Sequence, residues 1–309
     1  MDVGGTKVAA GVVGPAGEVV QALTRPTPSS APEQIADAIA AAVARLRQAH
    51  EVEAVGIGAA GFVDGSRSVV RFAPNLAWRE EPLRAEVTAR VDLPVVVEND
   101  ANAMAWAEAR FGAGRGEDHL VALTVGTGIG GGMVLDGRLY RGGFGIAAEF
   151  GHIRVVPDGR PCGCGNTGCW EQYASGRALV RAARELATAA PATATRLLEL
   201  VDGDVDGITG PNVTTAALEG DRAAGEAFAG IGRWLGQGLA DLAAVLDPGV
   251  FVLGGGVAAA GELLLAPVRE AYAAVLTGRS HRPLADIRLA ELGPQAGLVG
   301  AADLARSAG

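Results

Sequence analysis

The chain has 309 residues, 49% hydrophobic and 20% charged, with a formal net charge of -9. That composition supports a substantial core and excludes general disorder, while the acidic balance excludes a partner held by phosphate neutralisation, such as duplex DNA. The first residues lack the basic-then-apolar order of a secretory signal, and Asp247 and Pro248 interrupt the best apolar run, so a cytoplasmic protein with no membrane segment is expected.

Residues 7–13 (KVAAGVV) and 18–23 (EVVQAL) read as strands around the turn GPAG. Pro32 opens a helix with Ile35, Ile39, Val43 and Leu46 on one face. A buried strand over 52–60 ends at Gly61, a short helix covers 83–91, and the strand PVVV over 94–97 stops at Glu98, Asn99 and Asp100. A helix from 102 to 111 follows. Residues 120–125 (LVALTV) open a second set of strands, with the turn GTGIGGG and then MVLDGRLYRGG, a hairpin closed by Asp-Gly. Helices are predicted over 175–190, 192–200, 214–219 and 221–246. A strand over 250–253, the turn GGG, a helix near 262–276, a strand over 286–289 and a helix over 297–305 complete the chain. The alternation predicts an α/β protein with two sheets.

Three glycine turns stand out: DVGGTK (2–7), TVGTGIGGG (124–132) and LGGG (253–256). Taken singly, each reads as a plain turn in a glycine-rich chain. Together they suit an anion, because glycine lets backbone N–H groups approach closely and a threonine adds a hydroxyl donor. Gly4, Gly5 and Thr6 form one such turn, and Gly126, Thr127 and Gly128 another. The GxxxxGK[ST] pattern is absent, and a strand rather than a helix is predicted after GTGIGG, which argues against a Rossmann site.

Every cysteine, Cys162, Cys164 and Cys169, falls within CGCGNTGCWE. An odd count in a reducing compartment disfavours disulfides, and the tight spacing between glycines points to thiolates on a metal rather than to three small buried hydrophobes. A closed tetrahedral zinc site needs a fourth ligand; His152 is nearer in sequence than His50, His119 or His281. Four protein ligands leave no open position, so the metal would be structural. Asp100 ends an apolar strand, where ligands collect in open α/β sheets. A carboxylate there can take a proton from an attacking hydroxyl, and the same place also suits a helix N-cap by Asn99 or Asp100.

The three glycine turns resemble the nucleotide-binding elements of the actin/hexokinase-type ATPase fold. CGCGNTGCWE resembles the signature of the ROK family of bacterial sugar kinases and repressors, and the likeness runs from end to end. The resemblance implies a two-domain α/β fold of duplicated ribonuclease H-like halves with an active-site cleft between them. Residues 1–112 plus about 293–309 would form the small domain with the catalytic Asp. Residues 113–292 would carry the zinc loop, nucleotide turns and oligomer contacts. It implies transfer from ATP to the 6-hydroxyl of a hexose, glucose being favoured over fructose, N-acetylmannosamine or allose, and ATP over polyphosphate.

Carried onto this sequence, the resemblance makes Asp100 the general base and places Gly61, Asn75, Asn99, Glu149, His152 and Glu171 around the sugar. Asp2 would lie by Mg²⁺ or its waters. Gly4, Gly5, Thr6, Lys7, Thr127 and Gly128 would meet phosphates, and Gly254, Gly255 and Gly256 the adenosine. Structural Zn²⁺ would sit on His152, Cys162, Cys164 and Cys169, with the other His152 nitrogen donating to the sugar. A homodimer or homotetramer is implied, with no nucleic acid and no membrane. One departure is visible: family members carry apolar residues before DxGGT, whereas Asp2 is the second residue here. Either the start of the chain was assigned too late or the first strand is truncated, and in the second case Asp2 would sit on a frayed end. The same start leaves no room for the helix-turn-helix that family repressors carry ahead of this region.

Overall fold

The computed structural model describes residues 1–28, 31–73 and 76–306. In chain order the elements begin β1 (Asp2–Val3), β2 (Lys7–Val13), β3 (Val19–Pro26), α1 (Pro32–Arg47), β4 (Val55–Ala59), β5 (Phe62–Val63), β6 (Val70–Phe72), β7 (Arg79–Glu81), α2 (Leu83–Val91), β8 (Val95–Asn99) and α3 (Asp100–Phe111). They continue with β9 (Leu120–Val125), β10 (Ile129–Leu135), β11 (Arg138–Leu139), α4 (Glu171–Ala174), α5 (Gly176–Ala189), α6 (Thr195–Glu199), α7 (Gly210–Leu218), α8 (Arg222–Leu246), β12 (Val250–Gly254), α9 (Glu262–Val275), β13 (Asp286–Leu289) and α10 (Ala296–Arg306). No helix among the described residues is long and apolar enough to cross a membrane.

Two compact units divide the chain. The first holds Met1–Ala122, Gly131–Ala148 and Ala290–Gly309; the second holds Leu123–Gly130 and Glu149–Leu289. The boundary differs from the one expected near residue 112, because residues 113–122 and 131–148 fold with the first unit. Gly132 lies against Ala105 of α3, and Arg141 pairs with Glu98 of β8.

The first unit is built on a sheet of order β3-β2-β1-β4-β8. β4 and β8 are parallel and rich in Val, Ile and Gly, as strands covered on both faces must be. The frayed end that a truncated first strand would give is not what the structure shows. β1 has only two residues, yet it pairs antiparallel with β2 and parallel with β4, setting Asp2 opposite Ala9 and Gly58. The Met1 amine donates to the Gly56 carbonyl at 2.8 Å, and Gly58 N–H donates to the Met1 carbonyl at 2.9 Å. Partners on both sides hold what length alone would not.

The second sheet has the order β11-β10-β9-β12-β13. Its hairpin turn places Asp136 and Gly137 at φ 51° and 69°, the left-handed pair that a tight Asp-Gly turn needs. The two-sheet expectation is also corrected: β5, β6 and β7 form a third, antiparallel sheet. Strands of two or three residues carry too little alternation to be read from sequence. In the second unit α8 packs against α5, α7 and α9, and the Trp170 indole N–H donates to the Trp234 carbonyl at 2.8 Å.

In the first unit α10 packs on α3 at backbone distance. A Cβ at Gly300 would stand 1.8 Å from the Ala103 carbonyl oxygen. Gly300→Ala should therefore force the helices apart and cost about 3 kcal/mol. Urea unfolding would show a lower midpoint with an unchanged slope; an unchanged midpoint would mean that α3 and α10 separate without penalty.

Candidate functional site

Strand β8 ends at Asn99 and helix α3 starts at Asp100. Asn99 is the N-cap: its backbone is extended, and its Oδ1 accepts from Asn102 N–H at 2.9 Å. Asn99 Nδ2 donates to the Gly61 carbonyl at 3.1 Å and to Asp100 Oδ1 at 3.2 Å. Ala101 N–H also donates to Asp100 Oδ1, at 2.9 Å. The cap and the proposed base are thus different residues, and the bonds to Asp100 converge on one carboxylate oxygen. Burial, and then the charge of Asp2, push the Asp100 carboxyl up to about 6. Asp2 is itself raised by burial, with the amino terminus and Lys7 pulling the other way.

The strand register explains why the Asp2 charge bears on Asp100. Val3 of β1 lies opposite Ala59 of β4, which lies opposite Asn99 of β8, so Asp2 and Asp100 stand at the same ends of parallel strands. The first glycine turn follows directly. Gly4 N–H donates to the Lys7 carbonyl at 3.0 Å, and Thr27 Oγ1 donates to the Gly4 carbonyl at 2.7 Å. Gly5 lies in the bend between them, while Thr6 and Lys7 are exposed. Asn75 lies outside the described residues.

In the second unit the cysteine loop closes on itself. Cys162 N–H donates to the Asn166 carbonyl at 2.8 Å, and bridges pair Arg154 with Cys169 and Pro161 with Thr167. The ligand atoms of His152, Cys162, Cys164 and Cys169 all lie within 4.8 Å of one another. Cys162 Sγ is 3.7 Å from His152 Nδ1, and Cys164 Sγ is 3.6 Å from Cys169 Sγ. A tetrahedral zinc ion spaces its sulfur and nitrogen ligands by about 3.5–3.8 Å, so the donor set fits zinc. Burial, with the other thiols crowding it, pushes the Cys169 thiol up to about 12, a protonation that a bound cation reverses. Because Nδ1 faces the thiols, Nε2 is the His152 nitrogen left for other work.

Glu149 immediately precedes the short helical turn of Phe150–His152 and its carbonyl accepts from His152 N–H at 3.0 Å. Glu171, first residue of α4, has a place the sequence did not indicate. Its Oε1 accepts from the Cys162 thiol at 3.2 Å, and its Oε2 is 3.4 Å from Ile129 N–H, over Gly128. It therefore links the cysteine loop to the turn of Gly126, Thr127 and Gly128.

That turn borders a cavity of about 1110 Å³ within the second unit, reached also by Gly256 and Val257. Gly255 has φ 90°, and a Cβ there would meet the Val125 carbonyl at 2.5 Å, so only glycine lets the turn after β12 lie against β9. Gly254 is buried behind it, and Gly176 N–H at the start of α5 donates to the Gly126 carbonyl at 2.7 Å. Arg177, Arg181 and Arg184 of α5 and Thr214 of α7 complete the wall. The sequence did not single these out: arginines at helical spacing look like a solvated face until packing gives them a cavity.

Comparison with known proteins places these features in context. The ROK family model matches residues 1–308. A glucokinase of Streptomyces coelicolor is 56% identical over 306 residues, covering 99% of this chain and 96% of that protein. The solved structure of a ROK family glucokinase from Streptomyces griseus in complex with glucose and AMPPNP is 57% identical, with TM-score 0.90, and covers 99% of this chain and 98% of that one. A ROK hexokinase from Thermus thermophilus is 38% identical, with TM-score 0.83, and covers 99% of this chain and 97% of that one.

The donor geometry makes a direct prediction about metal. Purified protein should hold about one zinc ion per chain, and Cys164→Ala should hold none and melt several degrees lower. Elemental analysis with thermal melting checks this; a metal-free wild-type protein with an unchanged melt after chelation would remove the zinc assignment.

Proposed function

The chain belongs to the ROK family, and from that premise we propose its reaction: transfer of the γ-phosphoryl group of ATP to the 6-hydroxyl of glucose. The extended likeness to glucokinases supports the substrate pair. The observation that carries the chemistry is Asp100, a carboxylate desolvated at a strand end and relieved of capping by its neighbour. Phosphoryl transfer asks a protein mainly for positioning and charge stabilisation. With a pKa of about 6, Asp100 is ionised at neutral pH yet more basic than an ordinary carboxylate, which suits a base that accepts the hydroxyl proton. Oδ1 is held by Ala101 and Asn99, so Oδ2 takes the proton.

The proposed hexose contacts are Asn99, Gly61, Asn75, Glu149, His152 Nε2 and Glu171. Zinc on His152, Cys162, Cys164 and Cys169 supplies rigidity, with no open coordination place. Once the thiols are ionised, Cys162 has no proton to donate to Glu171 Oε1, which leaves that oxygen for a hydroxyl. Gly4, Gly5, Thr6, Lys7, Thr127 and Gly128 are the proposed phosphate contacts. Gly254, Gly255 and Gly256 lie by adenosine, with the α5 arginines beside the cavity. Asp2 would hold Mg²⁺ or its water, which supplies positive charge beside the transferring group. The protein works in the cytoplasm as a homodimer or homotetramer, a state supported by Leu218 and Val245, 69% and 80% exposed, and measurable by light scattering.

Phosphorylation assays against a hexose panel, with ATP and polyphosphate as donors, should give the highest kcat/KM for glucose with ATP; a higher value for another pair would reassign the substrate. Asp100→Asn should lower kcat by about 10²–10⁴-fold while glucose affinity changes only a few-fold. In the wild type kcat/KM should fall on the acid side of about pH 6, where the base becomes protonated. The raised carboxyl pKa also predicts a stability effect. Ionising Asp100 in the folded state is unfavourable, so the penalty is absent below the ordinary carboxylate range and full above about pH 6. Asp100→Asn should thus melt higher than wild type at pH 8, with the gap closing by about pH 4. Wild-type turnover in that variant would end the base assignment.

A further inference from the structure

A buried charge cluster behind Asn99 and Asp100 has no part in the roles given so far. Glu98 of β8 is 2% exposed. Its Oε2 accepts from Arg141 Nε at 2.6 Å and stands 3.5 Å from Arg67 Nε. Its Oε1 accepts from Asn102 Nδ2 at 3.1 Å and from Asn99 N–H at 3.1 Å. One oxygen therefore meets two cations, and the other meets the first turn of α3.

The two cations come from separate segments. Arg141 lies just past β11, and Arg67 lies in the turn between β5 and β6 at φ 58°, a left-handed conformation unusual for a long side chain. Asp64 secures that turn, accepting from Ser68 N–H at 2.9 Å and Val69 N–H at 2.8 Å. The Arg67 carbonyl in turn accepts from Val97 N–H of β8 at 3.3 Å.

Asn102 shows that the cluster does more than neutralise charge. It is 1% exposed, and its Oδ1 has no hydrogen-bond partner among the described residues. A buried unpaired amide oxygen is unfavourable, and a leucine, with the same branching though a larger volume, would avoid it. What the asparagine supplies is Nδ2 on Glu98, while its backbone N–H is capped by Asn99 Oδ1. Asn99 then holds Asp100 Oδ1 through its own Nδ2. Through the Asn102 side chain and backbone, a chain of hydrogen bonds runs from the Arg141 guanidinium to the base, with Arg67 adding an ion pair to Glu98 at 3.5 Å.

We propose that Glu98 and Asn102 are positioning residues for phosphoryl transfer: the Glu98 carboxylate, clamped by Arg141 and Arg67, fixes Asn102 and Asn99 and through them the Asp100 carboxylate. This rests on Asp100 being the base. Misplacing a base raises the barrier without removing the contacts that bind substrate.

The test is Asn102→Leu, which leaves Glu98 with both arginines and deletes only the amide. Its melting temperature should equal or exceed that of wild type. Its kcat should fall about tenfold or more, with KM for glucose and for ATP each within about twofold. Asn102→Ala, normalised to its folded fraction by circular dichroism, should show the same split between kcat and KM. Glu98→Gln should lose kcat together with melting temperature, since two guanidiniums then face a neutral amide. Wild-type kcat in Asn102→Leu, or a loss that tracks a lower melt or spreads equally into KM, would overturn the proposal. If Asp100→Asn is inactive while Asn102→Leu is fully active, only the positioning proposal falls; an active Asp100→Asn removes the base reading instead.

Discussion

The bond from Asn102 N–H to Asn99 Oδ1 fixes where β8 stops and α3 starts, and the candidate site depends on that choice. A helix start leaves several N–H groups without partners, and Asn and Asp are both good caps. Had Asp100 taken the cap, its carboxylate would have been consumed by helix N–H groups, and those bonds would have held its pKa low. With Asn99 capping, the next residue falls at the first helical position, still accepting from Ala101 N–H. Burial and the nearby Asp2 charge outweigh that stabilising bond, and the carboxyl rises to about 6. The order Asn-Asp, rather than Asp-Asn, thus separates the capping job from the chemical one.

The two units stiffen their loops by different means, and the sequence of each loop explains the difference. The stretch PDGRPCGCGNTG is nearly devoid of large apolar side chains. It cannot be held by a core, so thiolates and an imidazole converge instead, with ligand atoms within 4.8 Å. The turn between β5 and β6 has strands on both sides and an apolar neighbour in buried Val63. There a carboxylate that accepts from its own backbone, and one guanidinium reaching Glu98, are enough. Glu171 follows Cys169 by two residues and its Oε2 reaches Ile129 N–H over Gly128, so the end of the cysteine loop lies next to that glycine turn.

Much of this was legible in the sequence, for reasons that differ by element. Long helices such as α8, and the apolar strands β4 and β8, announce themselves through periodicity and composition. The cysteine cluster was legible because its spacing has few other uses, and the position of Asp100 at the end of an apolar strand could be read from composition. The third sheet escaped because β5, β6 and β7 have two or three residues each. Whether β1 would hold could not be read from the sequence, because pairing on both sides, which secures it, is a tertiary fact. The Glu98 cluster was invisible for the same reason: Arg67, Glu98 and Arg141 are far apart in the chain, and only the fold makes them neighbours. The boundary near residue 112 missed the hairpin of β10 and β11, whose following segment is tied back through Arg141.

The same contrast between local and global applies to charge. A chain of net charge -9 looks unsuited to a polyanion. Yet screening at physiological salt limits exposed charges to a range of about 8 Å, so what a phosphate meets is set by its near neighbours. Within the second unit the proposed neighbours are the N–H groups of a glycine turn, with the three arginines of α5 lining the same cavity. Within the first, burial raises the cost of ionising both carboxylates at the strand ends, the Asp2 charge adds to that cost for Asp100, and Lys7 and the amino terminus only partly offset it for Asp2. Two acids that repel in a half-buried setting are poor for stability, but they suit a site where one must take up a proton and the other must attract a cation. The unfavourable electrostatics and the proposed chemistry are therefore one feature of the fold.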